Sequence, residues 1–459
     1  MNMIAKINFE FGWALLAVVM LFGVLIAHGA MANEPGAEME RANASFANGD
    51  FESAKEQFLE LERAAPKDVA VLRKIALLYL LENNASLSQS YYEKVIENSS
   101  AIARAWPNSL ELYLDTALAY FRGDDFARAA VYLGKAAGPM GVTFIDEIAV
   151  AQRQLEMFQG LDPYIISGEP FVEIPFVQLD PLPVVLVSVN GSEPLKFVID
   201  TGAEEITIDT SAAQRLGVEN VGGSSLQKGA AAGSGAMVQL GKIDRIQLGG
   251  LGVQNIPVDI LDMGPISERV FEGTPISGII GTRFLMHFLS SIDYKNQQLI
   301  LRQKTIENRM AFETRLSGIA HKTIPISMYY THLILARGSF NRQNEGLYVV
   351  DSGVAGAGLL SSEEKFESSG VLIDWSKSEV GAGVGGEAEA LQVQVNEVVL
   401  GTGANKVIRS NVPGVLLREE LGLFGGGLGF EIQGLISHSL FKGAVVSFDF
   451  ESMELIVEE

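Results

Sequence analysis

Two aspartates with matching surroundings are the residues of this sequence best suited to chemistry. Asp200 and Asp351 each follow an apolar run and precede a small hydroxyl residue and a glycine, in the segments FVIDTGA (197–203) and LYVVDSG (347–353). Two carboxylates brought face to face cannot both ionise, so one of them keeps a proton. Such a pair can hold a water molecule and act on it as general base and general acid at once. The two triplets therefore predict the two halves of one site.

A second pair of segments indicates an internal duplication. Residues 281–301 align without a gap with residues 437–457, at an offset of 156 (437 minus 281), whereas the two aspartates are offset by 151 (351 minus 200). Each copy reads in the same order: strand, aspartate turn, glycine-rich stretch, short helix, aspartate-containing turn and final strand. We therefore expect two related lobes, each supplying one carboxylate to a cleft between them.

These motifs resemble the aspartic proteases, both the two-lobed pepsin-like enzymes and the retropepsin-like ones. The DTGA motif (200–203) looks like the retropepsin version, and the DSG variant (351–353) also occurs in that superfamily. A second signature of the fold is two apolar residues and a glycine ahead of a short helix. IIG (279–281) matches this signature, and LIS (435–437) departs from it in the last residue. The resemblance covers about residues 171–459 and implies an all-β, two-lobed domain.

The residues around each aspartate have separable roles in this interpretation. An aspartate that leaves a buried strand into a tight turn has its carboxylate fixed by backbone and hydroxyl hydrogen bonds. Asp200 and Asp351 would be catalytic, and the neighbouring residues would orient the carboxylates and shape the turns: Thr201, Gly202, Ser352 and Gly353. The alternative for either triplet alone is a surface turn in which the aspartate accepts only local hydrogen bonds.

Glycine-rich stretches follow each triplet by about 30 residues. Gly229, Gly233 and Gly235 lie in the first, and Gly381 and Gly383 lie in the second. Small residues followed by alternating apolar positions predict a mobile hairpin that closes over an extended substrate, which the resemblance identifies as the flap. The second stretch also satisfies the G-x-G-x-x-G pattern, but the residues after it alternate as a strand, which argues against a nucleotide site. A flexible loop without ligand contact is the alternative for both stretches.

Composition restricts the partners and the chemistry. The chain has 459 residues, of which 47% are hydrophobic, and a formal net charge of −22, which argues against nucleic acid or an anionic membrane as partner. It has no cysteine, which excludes disulfides, thiol catalysis and cysteine-ligated zinc. None of the five histidines has metal-ligand spacing, so we expect neither metal catalysis nor a cofactor. These histidines are His28, His287, His321, His332 and His438.

Residues 1–32 predict a membrane-targeting segment. An apolar run at 11–27 is broken only by glycines, and the AMA sequence at 30–32 ahead of Asn33 suits a cleavage site. We expect export, with the protein in the periplasm of a bacterium. The alternative is an uncleaved segment that anchors the chain to the inner membrane, so that the membrane is contacted through this segment alone.

Residues 37–160 resemble tetratricopeptide repeats, in which small and aromatic residues interlock paired helices. Gly49, Phe51, Ala54 and Phe58 recur in type at a period of 34, in degenerate form, and a third copy follows after a displacement of 41. Such an array could bind a protein partner. The alternative is an ordinary helical bundle without a ligand groove.

The sequence thus predicts six segments: a signal or anchor (1–32), helical repeats (37–160), a linker (161–170), lobe 1 (171–302), an inter-lobe linker (303–320) and lobe 2 (321–459). The predicted function is an exported aspartic endopeptidase acting on a peptide or protein substrate. Because a Gly/Pro linker follows the array, residues 171–459 alone are expected to cleave a short peptide. Two alternatives stay open: an inactive peptide-binding scaffold, or a protein whose functional part is the array.

Overall fold

The N-terminal part of the chain is helical. A computed structural model describes residues 36–101, 103–104, 109–137, 145–222, 226–228, 236–383, 386–417 and 429–459. The helices of this part are α1 (Ala37–Ala47), α2 (Phe51–Ala64), α3 (Val69–Leu81), α4 (Ala85–Asn98), α5 (Leu110–Arg122), α6 (Phe126–Ala137) and α7 (Ile145–Glu156). Each packs against the next helix in the sequence. We call this part the helical array.

Three turns between helices of the array share one local geometry. The residues before α2, α4 and α6 are Asp50, Asn84 and Asp125, and each side chain accepts a hydrogen bond from a backbone N–H three residues later. These side chains satisfy N–H groups that a helix start leaves unpaired. The preceding residues, Gly49, Asn83 and Asp124, have positive φ. The predicted spacing is therefore repeated in the backbone geometry of the turns.

The remainder of the chain is β-rich. Its strands in lobe 1 are β1 (Ile165–Gly168), β2 (Phe171–Pro175), β3 (Val184–Val189), β4 (Leu195–Ile199), β5 (Ile206–Asp209), β6 (Glu219–Asn220), β7 (Leu226–Lys228), β8 (Ala236–Leu248), β9 (Leu251–Leu261), β10 (Gly278–Ile280), β11 (Phe288–Asp293) and β12 (Gln298–Gln303). Those in lobe 2 are β13 (His321–Tyr329), β14 (Leu333–Phe340), β15 (Gln343–Asp351), β16 (Leu359–Ser361), β17 (Ser378–Gly383), β18 (Gly386–Thr402), β19 (Asn405–Leu417), β20 (Ile432–Ser437), β21 (Val445–Asp449) and β22 (Glu454–Glu458).

Short helices connect these strands. They are α8 (Thr210–Arg215), α9 (Gly264–Val270), α10 (Thr282–Leu285), α11 (Ile306–Ser317) and α12 (Glu363–Ser368), with single 3₁₀ turns at Trp375–Lys377 and His438–Phe441. Helix α11 lies inside the predicted inter-lobe linker and buries Phe312 and Leu316 against Leu289 and Ile456. The predicted order, a helical part followed by a β-rich part, is confirmed.

Six consecutive antiparallel strands of a 13-stranded sheet run across the two lobes, in the order β13-β22-β21-β11-β12-β2. At its centre, β11 pairs with β21, and Ser291 lies opposite Ser447. Their hydroxyls are 2.7 Å apart and their sequence separation is 156 residues. On either side, Ser290 faces Phe448 and Ile292 faces Val446, which are equivalent pairs under that offset. An approximate two-fold axis therefore passes between the two serines, as the duplication predicts.

The helical array packs directly against lobe 2. The ring of Phe430 lies 5.8 Å from Phe46 and 5.2 Å from Phe51, measured between centroids. Tyr329 lies 5.1 Å from the same ring on the lobe 2 side. Arg337 of lobe 2 also donates to the backbone carbonyl of residue 48 in the array (3.0 Å). Array and lobe 2 therefore share one apolar core.

Lobe 1 is attached to the array as well. Gln154 of α7 donates to the Gly241 carbonyl (3.0 Å) and the Val258 carbonyl (3.3 Å). Ile165–Gly168, inside the segment predicted as a linker, forms β1 and pairs with β9 of lobe 1. These contacts differ from the expectation of a separating linker at 161–170, because Ile165–Gly168 of that segment forms a strand paired with lobe 1.

The predicted targeting segment at 1–32 lies outside the described residues. Among the residues that the structure describes, no helix has the length and apolar character needed to cross a membrane.

Candidate active site

The two aspartates occupy equivalent positions at the ends of parallel strand pairs. In lobe 1, β10 runs parallel to β4, and the Asp200 N–H donates to the Ile280 carbonyl (3.1 Å). In lobe 2, β20 runs parallel to β15, and Ser437 lies opposite Asp351. The strand residues are buried on both faces of the sheet, and this burial fixes the direction in which the backbone enters each aspartate turn. Each lobe therefore delivers one aspartate from a rigid strand end.

Reciprocal hydrogen bonds hold the two turns together. The Thr201 N–H donates to Ser352 Oγ and the Ser352 N–H donates to Thr201 Oγ1, both at 2.9 Å. Each hydroxyl then donates across the interface: Thr201 to the Val350 carbonyl (3.0 Å) and Ser352 to the Ile199 carbonyl (3.1 Å). Both hydroxyls are thus used between turns. From the sequence we expected the Thr201 and Ser352 hydroxyls to orient the carboxylates. In the structure, these hydroxyls connect the two lobes.

Backbone amides fix the carboxylates themselves. The Gly202 N–H donates to Asp200 Oδ1 (2.8 Å), and the Gly353 N–H donates to Asp351 Oδ1 (2.7 Å). A methyl group added to Gly202 would lie 2.4 Å from Asp351 Oδ2, and one added to Gly353 would lie 2.2 Å from the Asp200 carboxyl carbon. Each carboxyl group therefore covers the glycine of the other turn, and any larger residue there would displace it.

The electrostatics of the pair follow from this closeness. Burial raises the pKa of Asp200 above its ordinary value. Burial and then the charge of Asp200 raise the pKa of Asp351 further. Since a second negative charge beside the first is unfavourable, the pair holds one proton over a wide pH range. The arrangement can give and accept protons at the same place.

The departure at position 437 is accommodated by the fold. A methyl group on Gly281 would lie 2.5 Å from the Glu205 carbonyl and 2.6 Å from the Glu204 carbonyl, so lobe 1 has no room for a side chain. In lobe 2, Ser437 is fully buried, and its hydroxyl donates to the Val354 carbonyl (2.6 Å). The serine thus supports its own aspartate turn rather than disrupting it.

The glycine-rich stretches are described in part. In lobe 2, β17 pairs with β18 so that Gly381 faces Ala388 and Gly383 faces Gly386, which makes a tight hairpin. In lobe 1, β7 pairs with the start of β8. The glycines between them, Gly229, Gly233 and Gly235, lie outside the described residues.

Two further residues near the turns were not identified from the sequence. His332, at the turn between β13 and β14, bonds through Nε2 to the Gly202 carbonyl (3.1 Å) and through Nδ1 to the Thr331 hydroxyl (2.8 Å). Tyr294 is buried, and burial together with the charge of Asp351 raises the pKa of its hydroxyl. Neither lies in a recognisable motif, so only the fold reveals their position.

Comparisons with known proteins found a family model and a solved structure. Residues 185–284 match a family model described as aspartyl protease. A crystal structure of a retropepsin-like aspartic protease from Rickettsia conorii is similar at 20% identity and a TM-score of 0.22. The match covers 30% of this chain and 95% of that one. No curated protein sequence matches the chain.

The family match contains Asp200, its turn, and the strands β4 and β10 that position it. The second turn, around Asp351, repeats this arrangement and bonds reciprocally to the first. The resemblance to the aspartic proteases is therefore confirmed at residues 185–284, which match the aspartyl protease family model.

Proposed function

We propose that the chain is an exported aspartic endopeptidase, in which Asp200 and Asp351 hold the water that attacks a peptide bond. The observation that supports this proposal most is the reciprocal pair of hydrogen bonds between the two aspartate turns, which lie side by side. A surface turn would need neither this pairing nor the exclusion of a side chain at Gly202 and Gly353. Both halves of the site come from one chain.

The two carboxyl groups would have different tasks. Burial raises the pKa of both carboxyl groups, and the pair shares one proton, so one carboxyl group is ionised while the other is protonated. The ionised carboxylate takes a proton from the water as the water oxygen bonds to the scissile carbonyl carbon, and the protonated carboxyl group gives its proton to the carbonyl oxygen. In the breakdown of the tetrahedral intermediate, the C–N bond breaks as the carboxyl group that took the proton from water gives it to the leaving nitrogen, and the other carboxylate takes a proton back from a hydroxyl of the intermediate. The products are a carboxylic acid and an amine, with no covalent enzyme intermediate.

The hairpins of both lobes would close over the substrate. The proposal is supported by their place in the chain, after each aspartate turn, and by the tight β17–β18 connection in lobe 2. Gly381 and Gly383 of lobe 2, and the glycines at 229, 233 and 235 of lobe 1, would let the hairpin backbones approach an extended peptide. An inactive scaffold has no comparable support, since Ser437 fits the second turn without displacing it.

The pH dependence of cleavage should be bell-shaped, with its maximum at mildly acidic pH. Activity requires one proton on the pair, so it rises as the first carboxyl group ionises and falls as the second does. Because both pKa values are raised, both limbs lie at higher pH than for exposed aspartates. Measuring kcat/KM on a peptide mixture from acidic to alkaline pH checks this, with Asp200→Asn as the blank. A flat profile into the alkaline range, or no inhibition by a hydroxyl-containing transition-state mimic, would contradict the mechanism.

We also propose that the array consists of tetratricopeptide-like repeats. The recurring turn geometry at Gly49, Asn83 and Asp124 supports this. The faces that the array turns toward the lobes are occupied by them, so a protein partner would bind another face.

Export stays a proposal from residues 1–32 and their AMA sequence. In a bacterial host, fractionation and N-terminal sequencing should find the protein beyond the inner membrane, beginning near Asn33. An intact N-terminus on protein held at that membrane would indicate an anchor, and full-length protein in the cytoplasm would contradict export.

A further inference from the structure

A buried arginine joins the helical array to lobe 1. The Arg283 side chain, on helix α10, is fully buried. Its Nη2 donates to the Phe121 carbonyl (3.0 Å) and to Asp124 Oδ1 (2.6 Å), and its Nη1 donates to the Arg122 carbonyl (3.2 Å). A helix leaves its last carbonyls unpaired, and a cation beside them is favourable. Arg283 of lobe 1 therefore caps the C-terminal end of α5 in the array.

The same residue is tied to the segment that follows Asp200. The Arg283 N–H donates to the Glu204 carbonyl (2.9 Å), and its Nε donates to Glu205 Oε1 (3.4 Å). The neighbouring Thr282 donates through its N–H to the Ala203 carbonyl (2.9 Å) and through its hydroxyl to the Thr201 carbonyl (2.8 Å). Two adjacent residues of helix α10 thus hold the catalytic turn and the chain that leaves it.

A shell of polar and aromatic groups supports Arg283 and Asp124. His287 Nε2 lies 2.9 Å from Asp124 Oδ2, and its Nδ1 lies 2.7 Å from the Arg283 carbonyl. Tyr164 stacks on the His287 ring (3.8 Å between centroids), and its hydroxyl bonds to Glu205. Burial alone would raise the pKa of Asp124, but Arg283 and His287 bring it to about 2, so this carboxylate stays charged.

The electrostatics of the cluster favour the ion pair between Arg283 and the array over the contact of Arg283 with Glu205. Burial raises the pKa of Glu205 to about 8, despite the charge of Arg283. Arg283 therefore has one firmly ionised partner, Asp124, which belongs to the array. The distances agree: Arg283 Nη2 lies 2.6 Å from Asp124 Oδ1 in the array, whereas its Nε lies 3.4 Å from Glu205 Oε1 in lobe 1.

The duplication does not repeat this arrangement in lobe 2. The positions in lobe 2 that correspond to Arg283 and His287, 156 residues later, are Ser439 and Gly443. The position corresponding to Glu205, 151 residues later, is Gly356. The Asp351 turn therefore forms without such a cluster. The cluster around Arg283 is not needed to form an aspartate turn, so it has another role.

The same helix end also reaches lobe 2. The Arg122 guanidinium donates to the Met328 carbonyl (3.4 Å) and the Tyr330 carbonyl, and to Asn83 Oδ1 (2.7 Å) within the array. Tyr330 lies two residues before His332, which bonds to the Gly202 carbonyl. The C-terminal end of α5 thus contacts both lobes. In each lobe, the contact lies close in sequence to a residue that bonds to the Asp200 turn.

We propose that Arg283 is a positioning residue for the catalytic pair, through which the helical array sets the geometry of the Asp200 turn. This inference rests on the proposed peptidase function for its effect on rate. The proposed coupling between the array and the Asp200 turn does not depend on that function. The array is then part of the catalytic apparatus without contributing any group to the cleft.

The test compares three single substitutions in the full mature chain. Arg283→Lys keeps the charge but loses the planar fork that reaches several acceptors at once. Asp124→Asn lies in the array and leaves all of lobe 1 unaltered. Arg309→Lys is the matched control, because Arg309 is a partly buried arginine that bonds to Asp449 and Glu451, outside both turns and the array.

Two readouts separate positioning from general stability. Hydrogen exchange should accelerate in the peptide covering residues 200–206 for Arg283→Lys and Asp124→Asn, but not for Arg309→Lys. At a temperature where all variants are folded, the first two should lower kcat by about 10- to 100-fold with little change in KM, since small misplacements of reacting groups are costly. Arg309→Lys should alter the melting temperature alone.

The outcomes are distinguishable. Unchanged exchange at 200–206 in Asp124→Asn and Arg283→Lys overturns the coupling, whatever the rates. Faster exchange with an unchanged kcat overturns the positioning role and leaves the contact merely structural. A wild-type chain that cleaves no peptide overturns the proposed function, while the exchange measurement still decides whether the array controls the turn.

Discussion

Asp200→Asn and Asp351→Asn should each lower peptide-bond cleavage by at least about 10³-fold, because either change removes the shared proton from the pair. Asparagine has nearly the same shape as aspartate and can still accept the amide hydrogen bonds of Gly202 and Gly353. The measurement is kcat/KM on a peptide substrate, together with thermal unfolding to show that the fold is kept. Asp209→Asn is the matched control: Asp209 caps helix α8 of lobe 1, and asparagine caps a helix about as well as aspartate, so both the stability and the rate should stay close to those of the wild type.

Mixing the two inactive variants should restore nothing. The turns bond to each other within one chain, and the central sheet joins β11 to β21 of that chain, so each chain assembles both halves of its own site. Recovery of activity in the mixture would mean that functional sites form between chains, which would contradict the single-chain pair.

Removal of the helical array should unfold the β-rich part or leave it aggregated. A chain of residues 161–459 keeps β1 but exposes apolar residues that the array now covers. These include Tyr329, Leu347 and Phe430. Each large apolar side chain returned to water costs about 1.5–3 kcal/mol, and folded domains are stable by only about 5–15 kcal/mol. Exposure of a few such residues would cancel the free energy of unfolding. We therefore expect that the β-rich part does not fold without the array, in contrast to the separable peptidase expected from the sequence.

The measurements are solubility, circular dichroism and cooperative thermal unfolding of 161–459, compared with the mature chain. Adding the array (36–160) in trans should restore part of the fold if the interface is the cause. A soluble 161–459 with a cooperative transition and wild-type kcat/KM would show that the array contributes nothing to the site.

The pairing of the two turns could be predicted from the sequence because it follows from repetition. The offset of 151 recurs in the bond between Thr201 and Ser352, and the offset of 156 recurs in the contact between Ser291 and Ser447. A duplicated segment packs against its copy around an approximate two-fold axis, so corresponding residues of the two copies meet at that axis. The helices of the array were predictable for a similar reason, since their contacts join neighbours in the sequence.

The attachment of the array could not be predicted in this way. Arg283 bonds to residues about 160 positions earlier, and no periodic pattern connects them. One signal was present: an arginine inside the otherwise apolar helix after the IIG motif, which must find partners if it is buried. The roles of Thr201 and Ser352 also depended on the fold, because a hydroxyl next to a carboxylate can bond within its own turn or across to another.

The threonine and the serine that bond reciprocally at the axis differ between the two turns. In an assembly of two identical chains, one substitution alters both halves of a site together, because the same residue stands on either side of the axis. Here each half is encoded separately, so mutation can change the acidity, support or neighbours of one carboxylate while its counterpart stays as it was. The hydrogen bonds that run from the array through Arg283 to the Asp200 turn, which lobe 2 does not repeat, are possible because the two halves differ in sequence.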